Sequence, residues 1–173
     1  MRTISEEVLV ADEDVVRVDA ANVEQIKKAA AANARRRIRI CAHHDTSDQL
    51  HEMVIVHMEG VYVRPHKHLG KTESMHVVEG VADVVFFDDL GGVREVIPMG
   101  EVGSGHAFYY RLACPRFHTL VVRSEFFIFH EVTNGPFRPE DTVFAPWSPE
   151  ETDAAGLAQF QKRLAAAAAE RRQ

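Results

Sequence analysis

Two histidines one residue apart, His66 and His68, are followed by Glu73, and the trio is bracketed by Gly60 and Gly80 in the spacing Gly-x5-His-x-His-x4-Glu-x6-Gly. Residues i and i+2 of an extended strand share a face, so the two imidazoles can reach one ion. Glu73 comes after the turn Leu69-Gly70-Lys71-Thr72, which lets a carboxylate approach the same ion from the next strand. Glycine at both strand ends permits tight turns or bulges there. The chemistry these types support at this spacing is binding of a divalent cation, against the alternative of solvated histidines on a polar strand. A fourth ligand is expected from a later strand crossing the same face of a closed barrel. His118 fits that place, opening Thr119-Leu120-Val121-Val122 just after Pro115. Its alternative role is a core-edge histidine donating to backbone.

The other histidines fit the ligand role less well. His76 lies off the Glu73 face by strand parity, His106 sits in a glycine-rich loop, and His130 falls in an aromatic strand where a buried, satisfied imidazole is expected. His43, His44, His51 and His57 are read as packing or surface residues. Parity places Tyr62 and Arg64 on the face of His66 and His68. Arg64 can then steer an anionic or hydroxyl group toward the ion, or pair with a barrel carboxylate. Tyr110 and Glu79 are further candidates for acid or base work, with nothing in the spacing to set them apart from rim residues. Cys114 either approaches the metal through a rearranged loop or is a buried turn thiol.

These side chains need strands to position them, and the middle of the chain supplies them. Residues 1 to 18 read as an extended lead-in. Asp19 sits where an N-cap belongs before a helix from Ala20 to Ala34, with Val23, Ile26 and Ala30 as its apolar stripe. Strands are expected at Arg37 to Ile40, Met53 to Val56, Val61 to Arg64, Val77-Val78, Val81 to Phe87, Val93 to Ile97, His118 to Val122 and Phe126 to Val132. Asp88-Asp89-Leu90-Gly91-Gly92 joins two of them as a hairpin. No helical periodicity interrupts residues 37 to 133, so an antiparallel sandwich or barrel is expected over a parallel sheet with crossover helices. An irregular arm, Phe137 to Pro149, is expected to be pinned by burial of Phe144 and Trp147. Asp153 then caps a last helix with Leu157, Phe160 and Leu164 on one face, ending in a basic tail. The organisation expected is residues 1–35 as an N-terminal extension and helix, 36–150 as the β domain, and 151–173 as a C-terminal helix and tail.

The composition excludes several classes. The chain has 173 residues with 46% hydrophobic and 27% charged, which suits one globular domain and not a low-complexity or disordered chain. Its 20 Lys+Arg against 26 Asp+Glu give a net charge of −6, the wrong sign for a nucleic-acid partner. Two cysteines make no disulfide framework, and neither a signal peptide nor a membrane span is read, so a cytoplasmic protein is expected.

The segment Gly60 to Gly80 resembles the first motif of the cupin superfamily, and Arg111 to Val122 resembles a degenerate second motif. Tyr62-Val63-Arg64-Pro65-His66-Lys67-His68, Phe86-Phe87-Asp88-Asp89, Glu131 to Phe137 and Phe144-Ala145-Pro146-Trp147-Ser148-Pro149 are similar to the WbuC family of cupin-fold metalloproteins, a likeness running from about Arg35 to Glu150. It implies an all-β fold, a single cupin jelly-roll β-barrel (double-stranded β-helix) with the N- and C-terminal helices packed outside. It implies that His66, His68, Glu73 and His118 ligate one metal, in bacteria often encoded near surface-polysaccharide and O-antigen genes. The second motif departs from its usual Pro-x-Gly-x-x-His, since Ala113 stands in the proline place and Pro115 in the glycine place. Proline cannot take a positive φ, so the turn before His118 must differ.

Three imidazoles and a carboxylate suit Fe, Mn, Ni, Cu or Zn without choosing among them. Two readings follow. One is a metal-dependent isomerase, epimerase or oxygenase acting on a small polar molecule, a sugar or nucleotide sugar. The other is a non-catalytic metal- or carbohydrate-binding or accessory protein. A homodimer through paired edge strands is expected from the cupin likeness.

Overall fold

The computed structural model describes residues 1–171, so the last two residues of the expected basic tail lie outside the described residues. In chain order the elements are β1 (Arg2–Ser5), β2 (Val8–Val10), α1 (Ala20–Ala32), β3 (Arg37–Cys41), β4 (Leu50–Met58), β5 (His66–His68), β6 (Glu73–Glu79), β7 (Val81–Phe87), β8 (Val93–Gly100), β9 (Tyr109–Leu112), β10 (His118–Val122), β11 (Phe126–Asn134), β12 (Thr142–Phe144) and α2 (Ala154–Arg171). They make a seven-stranded sheet, β1-β2-β3-β4-β11-β6-β9, and a five-stranded sheet, β12-β5-β10-β7-β8. From β4 to β12 the chain passes repeatedly between the two sheets, the path of a jelly roll.

Two-sided burial explains the layers. In β7, Ala82, Val84 and Phe86 point between the sheets, while Val85 and Phe87 point outward against Phe160, Leu164 and Ala168 of α2. The apolar run that made this strand legible is therefore covered on both faces. The larger sheet behaves likewise: Met53, Ile55, Phe127 and Phe129 fill the space between sheets, and Ile38, Ile40, Val56 and Ile128 face Ile26 and Ala30 of α1. Each sheet thus carries one helix on its outer face. Asp19 accepts a hydrogen bond from the Asn22 amide at 3.0 Å, and Asn22 returns one from the Asp19 amide at 3.1 Å, a reciprocal cap for α1.

Four expectations need correction. The sheets are not closed into a barrel; among the described residues no strand of one sheet is hydrogen-bonded to a strand of the other, and the larger sheet is extended at one edge by β1 and β2. The lead-in contributes strands, and β2 pairs parallel to β3 with α1 as the crossover, a parallel step inside a mostly antiparallel fold. Residues 61 to 65 lie outside the strands, so parity does not apply to Tyr62 and Arg64. Phe144 is 51% exposed, whereas Trp147 packs its ring against Phe87 and Phe117.

Gly60 and Gly80 both take positive φ, +82° and +85°. At Gly80 a Cβ would stand 2.1 Å from the Phe126 carbonyl oxygen, so both the backbone angle and the space demand glycine.

Candidate metal centre

Four side chains meet between the sheets. His66 and His68 lie on β5, Glu73 opens β6 and His118 opens β10, where it pairs directly with His66. One ring nitrogen from each of His66, His68 and His118 lies within 4.8 Å of the others. Glu73 Oε1 is 3.0 Å from His118 Nε2, and Glu73 Oε2 is 3.5 Å from His68 Nε2. The changed turn before His118 does not displace it, because the β10 ladder to β5 and β7 fixes the residue's register.

The far side of each ring is anchored. His66 Nδ1 donates to the Arg64 carbonyl at 2.8 Å and His118 Nδ1 to the Arg116 carbonyl at 2.9 Å, while His68 Nδ1 sits 3.1 Å from the Thr142 hydroxyl. A carbonyl only accepts, so the Nδ1 positions of His66 and His118 carry protons and their Nε2 edges are the ones left to serve a ligand. Outer hydrogen bonds that fix ring orientation and tautomer are the support a metal-ligating histidine requires. Tyr110 adds to it, its hydroxyl donating to Glu73 Oε1 at 3.0 Å. The donor set of imidazoles and one carboxylate fits a first-row divalent ion.

Burial alone would raise the Glu73 carboxyl, but the hydrogen bond from His118 and the neighbouring imidazoles outweigh it and hold it well below the usual carboxylate range. Burial alone would lower His118; its bond to Glu73 raises it instead. Burial, then the charges of His118 and His68, push His66 down to about 3. A cation bound there would compete with protons for these groups, so its affinity would depend on pH. Burial, reinforced by the Glu73 charge, raises the Tyr110 hydroxyl well above its ordinary value.

Other residues singled out lie elsewhere. The Tyr62 hydroxyl donates to the Pro149 carbonyl at 2.8 Å and its ring packs edge-on to Phe160, on the α2 side. Arg64 donates to Ser148 at 3.2 Å, lies over Phe144 and approaches Glu150 at 3.7 Å. Their parity fails because Val61 to Pro65 form no ladder. Cys114 is exposed, contrary to the buried thiol expected, and does not join the histidine cluster. His76 is exposed, and half-buried His130 stands 3.7 Å from Glu52.

The cluster opens on a cavity of about 610 Å³. Its other walls include Arg37, Arg39, His57 and Glu131, which the sequence reading left out of the site. Burial and the Glu73 charge raise the Glu131 carboxyl to about 7. The available signal was alternation: Arg37, Arg39 and Cys41 share one face of β3, and Ile38 and Ile40 the other.

Residues 18–99 match a family model described as a domain of unknown function (DUF6016). No curated protein matches the chain. Among solved structures it is similar to the capsular polysaccharide assembling protein CapF of Staphylococcus aureus, at 20% identity and a TM-score of 0.48 over 62% of this chain and 31% of that one. It is also similar to a sugar phosphate isomerase from a cupin superfamily of Silicibacter pomeroyi, at 18% identity and a TM-score of 0.43 over 58% and 59%. A third is the oxalate decarboxylase of Lactobacillus farciminis in complex with formate, at 17% identity and a TM-score of 0.44 over 56% and 27%. The chain spans less than a third of the length of the first and third of these. The fold assignment rests on the topology above.

Proposed function

We propose that this protein is a cupin of the WbuC type that holds one divalent transition metal through His66, His68, Glu73 and His118 and acts on a small polar, sugar-related molecule. The observation that supports the metal is convergence: a ring nitrogen from each of His66, His68 and His118 lies within 4.8 Å of the others, Nδ1 of each ring is held by a fixed partner, and the Nε2 atoms of His68 and His118 face Glu73. A first-row divalent ion held there supplies Lewis-acid polarisation of a substrate oxygen. Glu73 neutralises part of its charge, Tyr110 fixes the carboxylate, and the cavity gives room for a molecule of metabolite size. The sugar-related class is supported by the motif resemblance. Self-association through an edge strand and a cytoplasmic location belong to the same proposal; no helix of the described residues is long and apolar enough to cross a membrane.

Elemental analysis of untagged protein, purified without chelator, tests the site beside the His66→Ala and His118→Ala variants. Near-stoichiometric metal in the wild type and its loss in both variants is the expected result. Metal retained in both variants, or a wild-type protein that takes up none on incubation with Mn, Fe, Ni, Cu or Zn, overturns it.

A further inference from the structure

The wall of the cavity away from the histidine cluster carries charge where a sheet interior is ordinarily apolar. Arg37, Arg39 and His57 lie on the inner face of β3 and β4, with Arg37 paired across the ladder to His57 and Arg39 to Ile55. Arg37 is neutralised by Glu7, whose carboxylate lies 2.8 Å from its Nε. Arg39 is not: among the described residues no carboxylate lies within ion-pair distance of it. Val8 on β2 and Ile55 on β4 flank it in the ladders, and Arg39 itself is exposed, so its five N–H donors are open to a ligand. His57 is only 8% exposed, lines the same cavity, and its buried Nδ1 has no hydrogen-bond partner. An imidazole that deeply buried and unpartnered costs free energy unless something satisfies it. Glu131 lines the same cavity and feels the Arg39 charge, but forms no ion pair with any described residue.

We infer that Arg39 and His57 form an anion subsite that receives a carboxylate or phosphate group of the molecule whose other end reaches the histidine cluster. A guanidinium offers two parallel N–H donors to two oxygens of such a group, and a neutral imidazole offers a third polar contact. The substrate class is thereby narrowed to a small acid or phosphate ester, spanning a cavity of about 610 Å³ with its anionic end on β3. This rests on the reading of the histidine cluster as the reactive end.

The test uses the full-length protein as purified, titrated at constant ionic strength with inorganic phosphate and, separately, acetate, while the His57 ring and Arg39 Nε–H signals are followed by NMR. Saturable shifts of both signals are expected with at least one probe, and the probe that saturates lower identifies the group. Arg39→Gln should weaken that binding at least about tenfold, the effect of losing a charge-assisted pair, and Arg39→Lys should weaken it less. Because Arg39 is exposed on one side, the Gln variant should keep the wild-type melting profile and metal content. Shifts confined to His66 and His118, affinity unchanged in Arg39→Gln, or no saturable binding of either probe would overturn the subsite. Arg39-dependent binding in a protein that takes up no metal would instead remove the metal reading and leave the subsite standing.

Discussion

His57 should make the stability of this protein depend on pH in a way that one substitution abolishes. Burial, then the charges of Arg37 and Arg39, push its imidazole from 6.5 down to about 3. In the folded chain it therefore stays neutral through mild acid, while in the unfolded chain it takes up a proton as pH falls through 6.5. A folded value below the unfolded one means the stability is fully present above about 6.5 and is lost progressively as pH drops toward 3. Evaluated with those two values, the loss from His57 alone between pH 8 and pH 5 is about 2 kcal/mol. His66 has the same sign and a similar value, so the wild type should lose more than this, and comparison with His57→Leu isolates the His57 share. The assay is urea unfolding of both proteins at pH 8 and pH 5, in a chelator-containing, phosphate-free buffer of fixed ionic strength. At pH 8 the leucine variant should lie within about 1 kcal/mol of the wild type, since it removes an unpartnered polar atom and roughly conserves volume. At pH 5 it should be the more stable by about 2 kcal/mol. Equal losses in the two proteins would mean that His57 protonates in place and that water reaches its buried ring.

Two further outcomes follow from the geometry. Tyr110→Phe removes the hydroxyl donated to Glu73 Oε1, so metal affinity measured by chelator competition should fall at least about tenfold with the fold intact; unchanged affinity would place Tyr110 outside the support of the site. Gly80→Ala puts a Cβ 2.1 Å from a backbone carbonyl at a φ of +85° and should cost at least about 2 kcal/mol in urea unfolding, whereas a shift below about 0.5 kcal/mol would show that the β6–β7 corner yields easily.

Local signals located the first three members of the site. His66 and His68 announce themselves by an i, i+2 spacing, Glu73 by its distance past a turn, and Gly60 and Gly80 as strand-end glycines that permit tight turns, all properties of a short stretch of chain. The apolar runs at Val81 to Phe87 and Phe126 to Val132 likewise gave the β class, because burial on both faces writes itself into consecutive residues. His118 was legible as a candidate, but its place beside His66 depends on a ladder between segments about fifty residues apart. Tyr62 and Arg64 were misplaced for the converse reason: a parity argument holds only where a ladder exists, and none forms over residues 61 to 65.

Residue types and spacing in the sequence were enough to determine a β protein, two outer helices and a histidine pair with a carboxylate close after it. Tertiary structure alone decided that the sheets stay open and that the β1–β2 hairpin widens one of them. It also decided that Glu131 looks into the same cavity as Glu73, and that Arg39 and His57 stand on its opposite wall. Each of these is a matter of which strand lies beside which. Pairing between distant segments is set by the fit of two whole faces, and no window of neighbouring residues contains it.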